Sequence, residues 1–238
     1  MDQGIELSDR TDCAIIIQAR MSSARFPGKM KYLLAGVSLL EYMYRRCKSS
    51  SVKTIAIATS DDVSDNCISE WCNSNQIRVI RGSLNNVISR YIKTGEYLKV
   101  KYIIRVCGDS PFVAVNYMDL FLRQLIAERL DFVSFLSKAC IPGFYSEAVS
   151  LSVLKKIESI TTVDDDLEHV TKYIIEHPEL FKTKFIHSDL NPLFAQGLKL
   201  TIDYPQDLLV AEKILATMPD KFLYTPEDVL AAIRRLNF

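Results

Sequence analysis

The sequence has no excess of charge of either sign, because 29 Lys and Arg residues balance 29 Asp and Glu residues. Without a net positive field, neither nucleic acid nor an anionic membrane is favoured as a partner. Any positive charge that serves a function must therefore be concentrated locally.

Long apolar runs are also missing. No stretch approaches the roughly 18 apolar residues of a membrane-spanning helix, and the polar start MDQGIELSDRTD lacks the hydrophobic region of a secretory signal. We therefore expect a cytoplasmic protein that contacts no membrane. The six cysteines follow no paired spacing, which argues against a zinc site and a disulfide framework.

Two familiar glycine-rich phosphate motifs are absent. A Walker A loop needs Gly-x-x-x-x-Gly-Lys followed by Ser or Thr, whereas position 24 is Ala and position 30 is Met. The dinucleotide motif Gly-x-Gly-x-x-Gly does not occur either, which argues against a dinucleotide fold of the usual type. A nucleotide site in this chain must therefore be built differently.

The most informative segment that is present is residues 13–29, CAIIIQARMSSARFPGK. A short apolar run ends at Ile17, and the next residues supply two arginines, a lysine, two serines and a Pro27-Gly28 turn. Backbone N–H groups, serine hydroxyls and cationic heads are what a polyphosphate needs. The segment indicates a buried strand that opens into a phosphate-binding loop, although composition alone also permits an ordinary solvated basic loop.

Apolar runs alternate with amphipathic stretches along the chain, which indicates βαβ units and a parallel sheet in an α/β fold. With 238 residues, 48% of them hydrophobic, the chain can form a single domain over 1–238, with 140–195 as a possible acceptor or dimerisation excursion. We predict strands at 13–18, 53–59, 76–80, 101–106, 131–136 and 197–202, and helices near 38–48, 62–74, 85–98, 115–128, 165–177, 205–216 and 226–236.

Two aspartates follow predicted strands directly, namely Asp109 and Asp203. In open α/β sheets, ligands collect beyond the carboxyl ends of the strands. Two carboxylates that converge there, together with a triphosphate, provide the hard oxygens that Mg²⁺ prefers. The alternative is that each aspartate only caps a turn or a helix.

Two further acidic clusters, Ser60-Asp61-Asp62 and Asp164-Asp165-Asp166, lie where helices are predicted to begin. We interpret the first cluster as an N-terminal cap and the second as a helix start that the helix dipole favours, and neither as a metal site. The first cluster also stands where a glycosyltransferase of similar fold would place an Asp-x-Asp metal motif. A sugar-nucleotide-dependent glycosyltransferase therefore remains an alternative.

The loop Gln18-Ala19-Arg20-Met21-Ser22-Ser23-Ala24-Arg25-Phe26-Pro27-Gly28-Lys29 resembles the opening signature of the spore-coat-polysaccharide SpsF branch of the cytidylyltransferases. This branch is related to the enzymes that make CMP-Kdo and CMP-sialic acid. Further matches follow in order over about positions 13 to 210: Ile57-Ala58-Thr59-Ser60 with Asp65, Arg81-Gly82, Arg90-Tyr91, Arg105-Val106-Cys107-Gly108-Asp109-Ser110-Pro111, Glu168-His169-Val170-Thr171 and Thr201-Ile202-Asp203-Tyr204-Pro205-Gln206-Asp207.

This resemblance implies a Rossmann-like nucleotide-diphospho-sugar transferase (GT-A-like) fold, with a mostly parallel mixed sheet flanked by helices. It implies transfer of CMP from CTP to an anionic sugar acid with release of pyrophosphate, for surface polysaccharide biosynthesis, in a homodimer. The implied catalytic residues are Arg20, Lys29 and Asp109. The implied nucleotide-binding residues are Gln18, Ala19, Arg20, Ser22, Ser23, Arg25, Lys29, Arg81 and Arg90. The implied acceptor residues are Arg105, Glu147, Glu168 and His169, and the implied Mg²⁺ ligands are Asp109 and Asp203.

The sequence departs from the family pattern at Ala24, at Val37-Ser38 and at Lys199, where the family usually has Thr, Lys-Pro and Arg. A nucleotide-binding protein without turnover is therefore a further alternative. Residues 140–195 hold large apolar side chains that we expect either to pack on a second copy or to roof the acceptor pocket. These are Phe144, Tyr145, Phe181 and Phe185.

Overall fold

The computed structural model of this chain describes residues 6–7, 10–136, 140–188 and 198–236. The strands in these ranges are β1 (Cys13–Gln18), β2 (Leu33–Leu34), β3 (Val37–Ser38), β4 (Ile55–Ser60), β5 (Arg78–Gly82), β6 (Tyr102–Cys107), β7 (Phe132–Phe135), β8 (Glu147–Ser150) and β9 (Thr183–Ile186). The helices are α1 (Leu39–Cys47), α2 (Asn66–Ser74), α3 (Val87–Leu98), α4 (Val115–Ala127), α5 (Leu151–Ile160), α6 (Asp164–Glu168), α7 (Lys172–Glu176), α8 (Pro205–Ala216) and α9 (Pro226–Arg235).

Seven of the strands form one sheet in the order β5-β4-β1-β6-β8-β7-β9. Strand β8 runs antiparallel to both of its neighbours, and the other pairs in this sheet are parallel. The predicted α/β class with a mostly parallel mixed sheet is confirmed. The remaining strands, β2 and β3, form a short separate hairpin.

The central strand β1 is apolar along most of its length because both of its faces are covered. Ile15 and Ile17 belong to a core that includes residues of α1, α4, α8 and α9. Ala14 and Ile16 point to the opposite face and belong to a second core with residues of α3 and α5. This alternation follows from strand geometry, and the continuous apolar run is typical of a parallel strand between two helical layers.

The carboxyl ends of β1, β4 and β6 lie side by side. Gln18 is in register with Ala58 on β4 and with Cys107 on β6. Beyond this row, the Gly108 N–H donates to the Gln18 carbonyl at 2.8 Å. A Cβ atom on Gly108 would lie 2.7 Å from that carbonyl oxygen, so the close approach of these two strand ends requires glycine.

The five predicted strands at 13–18, 53–59, 76–80, 101–106 and 131–136 correspond to β1, β4, β5, β6 and β7. The single helix predicted near 165–177 is wrong, because α6 and α7 are separated by a turn in which Val170 has φ 44°. A positive φ is incompatible with a continuing right-handed helix. The sequence analysis also missed helix α5.

The strand predicted at 197–202 is wrong over residues 198–202, whereas position 197 lies outside the described residues. The Leu200 N–H donates to the Pro142 carbonyl at 2.7 Å, and the Ile202 N–H donates to the Asp109 carbonyl at 2.8 Å. These bonds attach the segment to two loops instead of to a neighbouring strand. We call residues 198–203 the strap, because this segment places Asp203 near the carboxyl ends of β1 and β6.

Residues 140–188 contribute β8 and β9 to the sheet, and residues 189–195 of the predicted excursion lie outside the described residues. Phe144 and Phe181 are buried, and the half-buried Tyr145 and Phe185 pack against the two cores. These side chains are covered within the protomer, so they give no argument for a second copy. The homodimer itself stays a prediction.

No helix in the described ranges has the length and apolar character needed to cross a membrane.

The strap crosses Gly143 so closely that a side chain there has no room. A Cβ atom would lie 2.6 Å from the Leu200 carbonyl carbon, and Gly143 has φ 109°. We expect Gly143→Ala to lower the free energy of unfolding by about 2 kcal/mol or more, measured by urea denaturation. Gly36→Ala is the matched control, because Gly36 has φ 82° but no atom within 4 Å of the added Cβ. In this control, the free energy of unfolding should fall only by the backbone cost of a positive φ, about 1 kcal/mol. Equal losses of stability in the two variants would show that contact with the strap is unimportant.

Candidate functional site

A cleft of about 340 Å³ opens at the carboxyl ends of β1 and β6. We call it the main cleft. Its lining comes from three places, which are the loop after β1, the turn after β6 and the strap. Of the residues predicted from the sequence, it brings together Gln18, Ala19, Arg20, Ser23, Arg25, Lys29, Asp109 and Asp203.

Backbone hydrogen bonds fold the loop after β1 onto itself. The N–H groups of Ser23 and Gly28 both donate to the Met21 carbonyl at 2.9 Å. Gly28 has φ 75°, a conformation that glycine adopts without strain. The chain then enters a 3₁₀ turn at Lys29–Lys31, which directs Lys29 inward.

A buried carboxylate, that of Asp65, fixes this loop to the end of β4. It accepts a hydrogen bond from the Met21 N–H at 2.6 Å. Its other oxygen accepts from the Ser60 N–H at 3.1 Å and from the Ser60 hydroxyl at 2.5 Å. The sequence analysis noted Asp65 only as a family match and missed this role. Its position five residues after a strand-terminal serine was the available signal.

Three cations of the main cleft are each paired with an acid. Lys29 Nζ lies 2.7 Å from Asp109 Oδ2, Arg25 Nη2 lies 2.5 Å from Asp203 Oδ1, and Arg20 Nη2 lies 2.9 Å from Glu168 Oε1. The charges predicted to bind a polyphosphate are thus neutralised by residues predicted to bind metal or acceptor. The site is electrostatically balanced by its own side chains.

Asp203 is held ionised by its surroundings. Partial burial opposes ionisation, but hydrogen bonds from Lys199 at 3.1 Å and Thr201 at 3.0 Å, with the charge of Arg25, lower the pKa of Asp203. This carboxylate therefore stays negative at neutral pH without a bound cation. Lys199, which stands where the family usually has Arg, supplies a cation in the same place.

The other departures from the family pattern have simple positions. Ala24 lines the main cleft. Val37 pairs with Leu34 in the β2–β3 hairpin, and the Ser38 hydroxyl caps α1 by accepting from the Glu41 N–H at 3.2 Å.

The two predicted arginines beyond β5 differ in their surroundings. Arg81 donates to the carbonyls of Ser60 and Asp62 and to the side chain of Asn66, so its guanidinium supports the loop after β4 outside the main cleft. Arg90 is completely buried, and none of its three side-chain nitrogens has a hydrogen-bond partner. Burial lowers the pKa of Arg90, although an arginine remains charged.

Gly82 explains how Arg90 fits beside β5. A Cβ atom on Gly82 would lie 3.0 Å from Arg90 Cγ. The glycine in the predicted Arg81-Gly82 motif therefore leaves room for the side chain of Arg90.

A second cavity, of about 310 Å³, lies next to β6 and α7. We call it the Arg105 groove. Arg105 Nη1 donates to Glu147 Oε2 at 2.7 Å, and the Thr171 hydroxyl donates to the same oxygen at 2.8 Å. Three of the predicted acceptor residues, Arg105, Glu147 and His169, line this groove. The fourth, Glu168, is bonded to Arg20 at the edge of the main cleft.

His169 has an exposed side chain, with Nε2 3.3 Å from Asp165 Oδ1. His169 lines the Arg105 groove, so it lies near any ligand bound there. The acid with which it pairs, Asp165, lies on the short helix α6 that ends just before it. Ser22, another predicted nucleotide ligand, is exposed and is not among the residues that line the main cleft.

Both additional acidic clusters act as helix starts. Asp62 accepts from the Ser64 N–H at 2.8 Å and caps a short 3₁₀ turn, and α6 begins at Asp164. The first cluster provides a cap as predicted, whereas the three aspartates of the second form the first turn of α6, whose N-cap Val163 makes no side-chain cap bond. Asp61 and Asp62 are exposed and do not line the main cleft, which removes the structural support for an Asp-x-Asp glycosyltransferase. In the described part of the chain, no group of three or more His, Cys, Asp or Glu residues is arranged to hold a metal.

Comparison with known proteins places this geometry among nucleotidyltransferases. The cytidylyltransferase family model matches residues 14–229. The spore coat polysaccharide biosynthesis protein SpsF of Bacillus subtilis is 34% identical over 202 residues, which cover 82% of this chain and 83% of that protein. The 3-deoxy-manno-octulosonate cytidylyltransferase of Pelobacter propionicus is 29% identical over 112 residues, covering 47% of this chain and 43% of that enzyme.

The solved structure of a cytidylyltransferase from Leptospira borgpetersenii superimposes with a TM-score of 0.88. The two sequences are 26% identical, and the match covers 96% of each chain. The Rossmann-like fold that the resemblance implied is confirmed.

Asp65 provides a test of how the loop after β1 is held. In Asp65→Asn, an amide NH₂ replaces one carboxylate oxygen, so a single acceptor oxygen must serve both the Met21 N–H and the Ser60 N–H. We expect the free energy of unfolding to fall by about 1–3 kcal/mol, and the Met21 amide to exchange its hydrogen faster. Asp62→Asn is the control, because an exposed asparagine caps about as well as aspartate. Equal stability of the two variants would contradict the anchoring role of Asp65.

Proposed function

The chain belongs to the cytidylyltransferase family, and we propose that it transfers CMP from CTP to an anionic sugar acid of the Kdo or nonulosonate type. Pyrophosphate leaves, and the product enters surface polysaccharide biosynthesis. The observation that carries the proposal is the main cleft, where Arg20, Arg25 and Lys29 face Asp109 and Asp203. The role of the SpsF protein in polysaccharide biosynthesis and the sugar acid named for the 3-deoxy-manno-octulosonate cytidylyltransferase support the choice of pathway and acceptor.

The reaction is an in-line displacement at phosphorus. A hydroxyl oxygen of the acceptor, whose proton passes to water, attacks the α-phosphorus of CTP and forms a new P–O bond. The bond from that phosphorus to the oxygen bridging the β-phosphate breaks, and pyrophosphate carries away the electron pair. The protein aligns the oxygens and neutralises the charge that develops on them. Arg20 and Lys29 are the side chains that we assign to this work.

Asp109 and Asp203 would hold Mg²⁺ in this reaction. Their side chains line one cleft and keep 29% and 17% of their surface exposed, so both remain accessible to an ion. Mg²⁺ is commonly bound by one or two carboxylates together with water and substrate phosphates, which fits this donor set. When bound, it would neutralise charge on the phosphate oxygens.

A buried polar group supports a nucleotide contact beside the triphosphate. Gln18 lines the main cleft, and its side-chain carbonyl has no hydrogen-bond partner in the protein. Buried polar groups are rarely left unpaired, because the cost of desolvation is then not recovered. An N–H or O–H group of the nucleotide would supply the missing partner. Arg90 is unpaired as well, but it is completely buried and does not line the cleft.

The Arg105 groove is the site that we propose for the acceptor. Arg105 attracts a carboxylate, and its buried Nε has no partner. Glu147 and His169 offer hydrogen-bonding groups to sugar hydroxyls. A cytoplasmic location belongs to the same proposal, since the six cysteines are free, which is typical of a reducing compartment.

The direct test is incubation with CTP, Mg²⁺ and either 3-deoxy-manno-octulosonate or N-acetylneuraminate, with pyrophosphate release as the measurement. Thermal shifts with CTP, GTP, UTP and ATP establish the base, since a ligand of the native state raises Tm. If CTP binds but no pyrophosphate is released in the presence of either sugar acid, a nucleotide-binding protein without turnover is favoured.

Asp109→Asn should reduce kcat by about 10²-fold or more, because it removes the carboxylate charge that would hold the metal ion beside the reacting phosphates while it preserves the shape of the side chain. Pyrophosphate release measures the loss, and an unchanged far-UV circular dichroism spectrum shows that the fold is intact even though loss of the ion pair with Lys29 lowers Tm. Glu128→Gln, which removes an exposed acid paired with Lys184, is the control. Activity within a few fold of the parent protein would refute the assignment of Asp109.

Arg20→Ala should weaken CTP binding more than Arg25→Ala does. Arg20 and Lys29 match the phosphate ligands of the family, whereas Arg25 is more exposed and also braces Asp203. We expect the Kd for CTP to rise about tenfold or more for Arg20→Ala, the usual size of a charge-assisted hydrogen bond. Calorimetry provides the measurement, and equally small effects of both variants would mean that the loop is only a solvated basic surface.

A further inference from the structure

The turn between α6 and α7 is strained. Val170 has φ 44° and is fully buried, and the Thr171 N–H donates to the His169 carbonyl at 2.5 Å. A β-branched residue with positive φ is a genuine outlier. Such backbone persists only where its surroundings hold it, and it is concentrated at switches and binding sites. We call residues 168–171 the strained turn.

Each end of the strained turn is attached to a different cavity. At the first end, Glu168 is paired with Arg20, which lines the main cleft. At the other end, Thr171 donates to Glu147, which is paired with Arg105 in the Arg105 groove. The turn therefore connects the linings of the two cavities, as strand β6 also does through Cys107 and Arg105.

The attachment to the main cleft is the weaker of the two. The side chains of Arg20 and Glu168 keep 33% and 44% of their surface exposed, whereas those of Arg105 and Glu147 keep 15% and 11%. Exposed ion pairs contribute little to stability. A triphosphate carries several negative oxygens, so it competes well with a single carboxylate for Arg20.

We propose that the strained turn couples the two binding sites. A nucleoside triphosphate in the main cleft takes Arg20 from Glu168, the turn relaxes, and the freed Glu168 carboxylate accepts hydrogen bonds from hydroxyls of the acceptor. The inference rests on the proposed function in that the triphosphate is CTP. Glu168 then contacts the acceptor directly as a binding residue, and the acceptor binds best after the nucleotide. Because coupling is reciprocal, the acceptor strengthens nucleotide binding by the same factor.

The first test uses Glu168→Gln, which removes the negative charge and keeps the size of the side chain. With its competitor neutralised, Arg20 should bind CTP about two- to fivefold more tightly, as the usual strength of an exposed ion pair predicts. Calorimetry with CTP alone measures this change without turnover. Glu96→Gln is the matched control, since it removes another exposed ion pair, with Lys155, outside both cavities. An affinity for CTP that is equal to or weaker than that of the parent protein would overturn the proposal.

Kinetics separate coupling from a merely structural role. In Glu168→Gln, the KM for CTP should fall, while the KM for 3-deoxy-manno-octulosonate should rise about tenfold because a charged hydrogen bond to the acceptor is lost. A structural defect would weaken the binding of both substrates and raise both KM values. Changes of the two KM values in the same direction would therefore count against the coupling.

The second test follows the strained turn itself in the unmodified protein. The N–H groups of Thr171 and Lys172 both donate to the His169 carbonyl, at 2.5 and 3.0 Å. Addition of CTP, or of inorganic tripolyphosphate, should speed hydrogen exchange at these two amides. Unchanged exchange with CTP bound would overturn the proposal. If tripolyphosphate speeds exchange but CTP does not bind, the coupling stands and the assignment of CTP as substrate fails.

Discussion

The buried ammonium of Lys29 holds together the parts of the site that come from distant stretches of sequence. It donates to Asp109 Oδ2 and to the Ile202 carbonyl, each at 2.7 Å. One charge thus joins the loop after β1, the turn after β6 and the strap. A buried ammonium must be fully paired to offset its desolvation. Each of the three segments is consequently placed relative to the other two.

The balance of charge in the whole chain is repeated inside the main cleft. Arg20, Arg25 and Lys29 are each matched by one carboxylate, so the site presents little net field without substrate. A bound metal and triphosphate bring their own opposite charges and can exchange partners with these pairs. The side chains then change partners without leaving a charge unpaired, which keeps the cost of rearrangement low.

Local patterns in the sequence were enough to predict most of the residues that line the main cleft, although Ser22, Arg81 and Arg90 do not line it. The apolar run of β1 and the basic loop after it are contiguous, and strand ends in a parallel sheet lie at one edge, so Lys29 and Asp109 were predictable neighbours. Asp203 was placed correctly for the wrong reason, because the strap reaches the cleft through single hydrogen bonds and has no strand pattern to detect. The spacing of Ser60 and Asp65 signals only their local contact, whereas the anchoring role of Asp65 depends on the Met21 N–H of another segment.

The Arg105 groove was harder to predict, since its structure depends on contacts between segments that are far apart in sequence. The break between α6 and α7 is imposed at Val170, a residue with no tendency toward positive φ. Conversely, Arg81 and Arg90 read alike in the sequence, yet one is fully hydrogen-bonded and the other has no partner. Propensity cannot distinguish them, because the difference lies in which carbonyls surround each guanidinium.

Strand β8 has a consequence for how this fold can change its substrate. Because it inserts antiparallel beside β6, Arg105 and Glu147 are directly opposite each other across the ladder. Facing side chains in such a pair are held a few ångströms apart by the backbone itself. The floor of the Arg105 groove is therefore set by strand register and is independent of loop conformation. Exchange of residues in the short helices above it can alter the shape of the groove while the charged floor and the neighbouring main cleft stay in place, so the groove can change its ligand by small evolutionary steps.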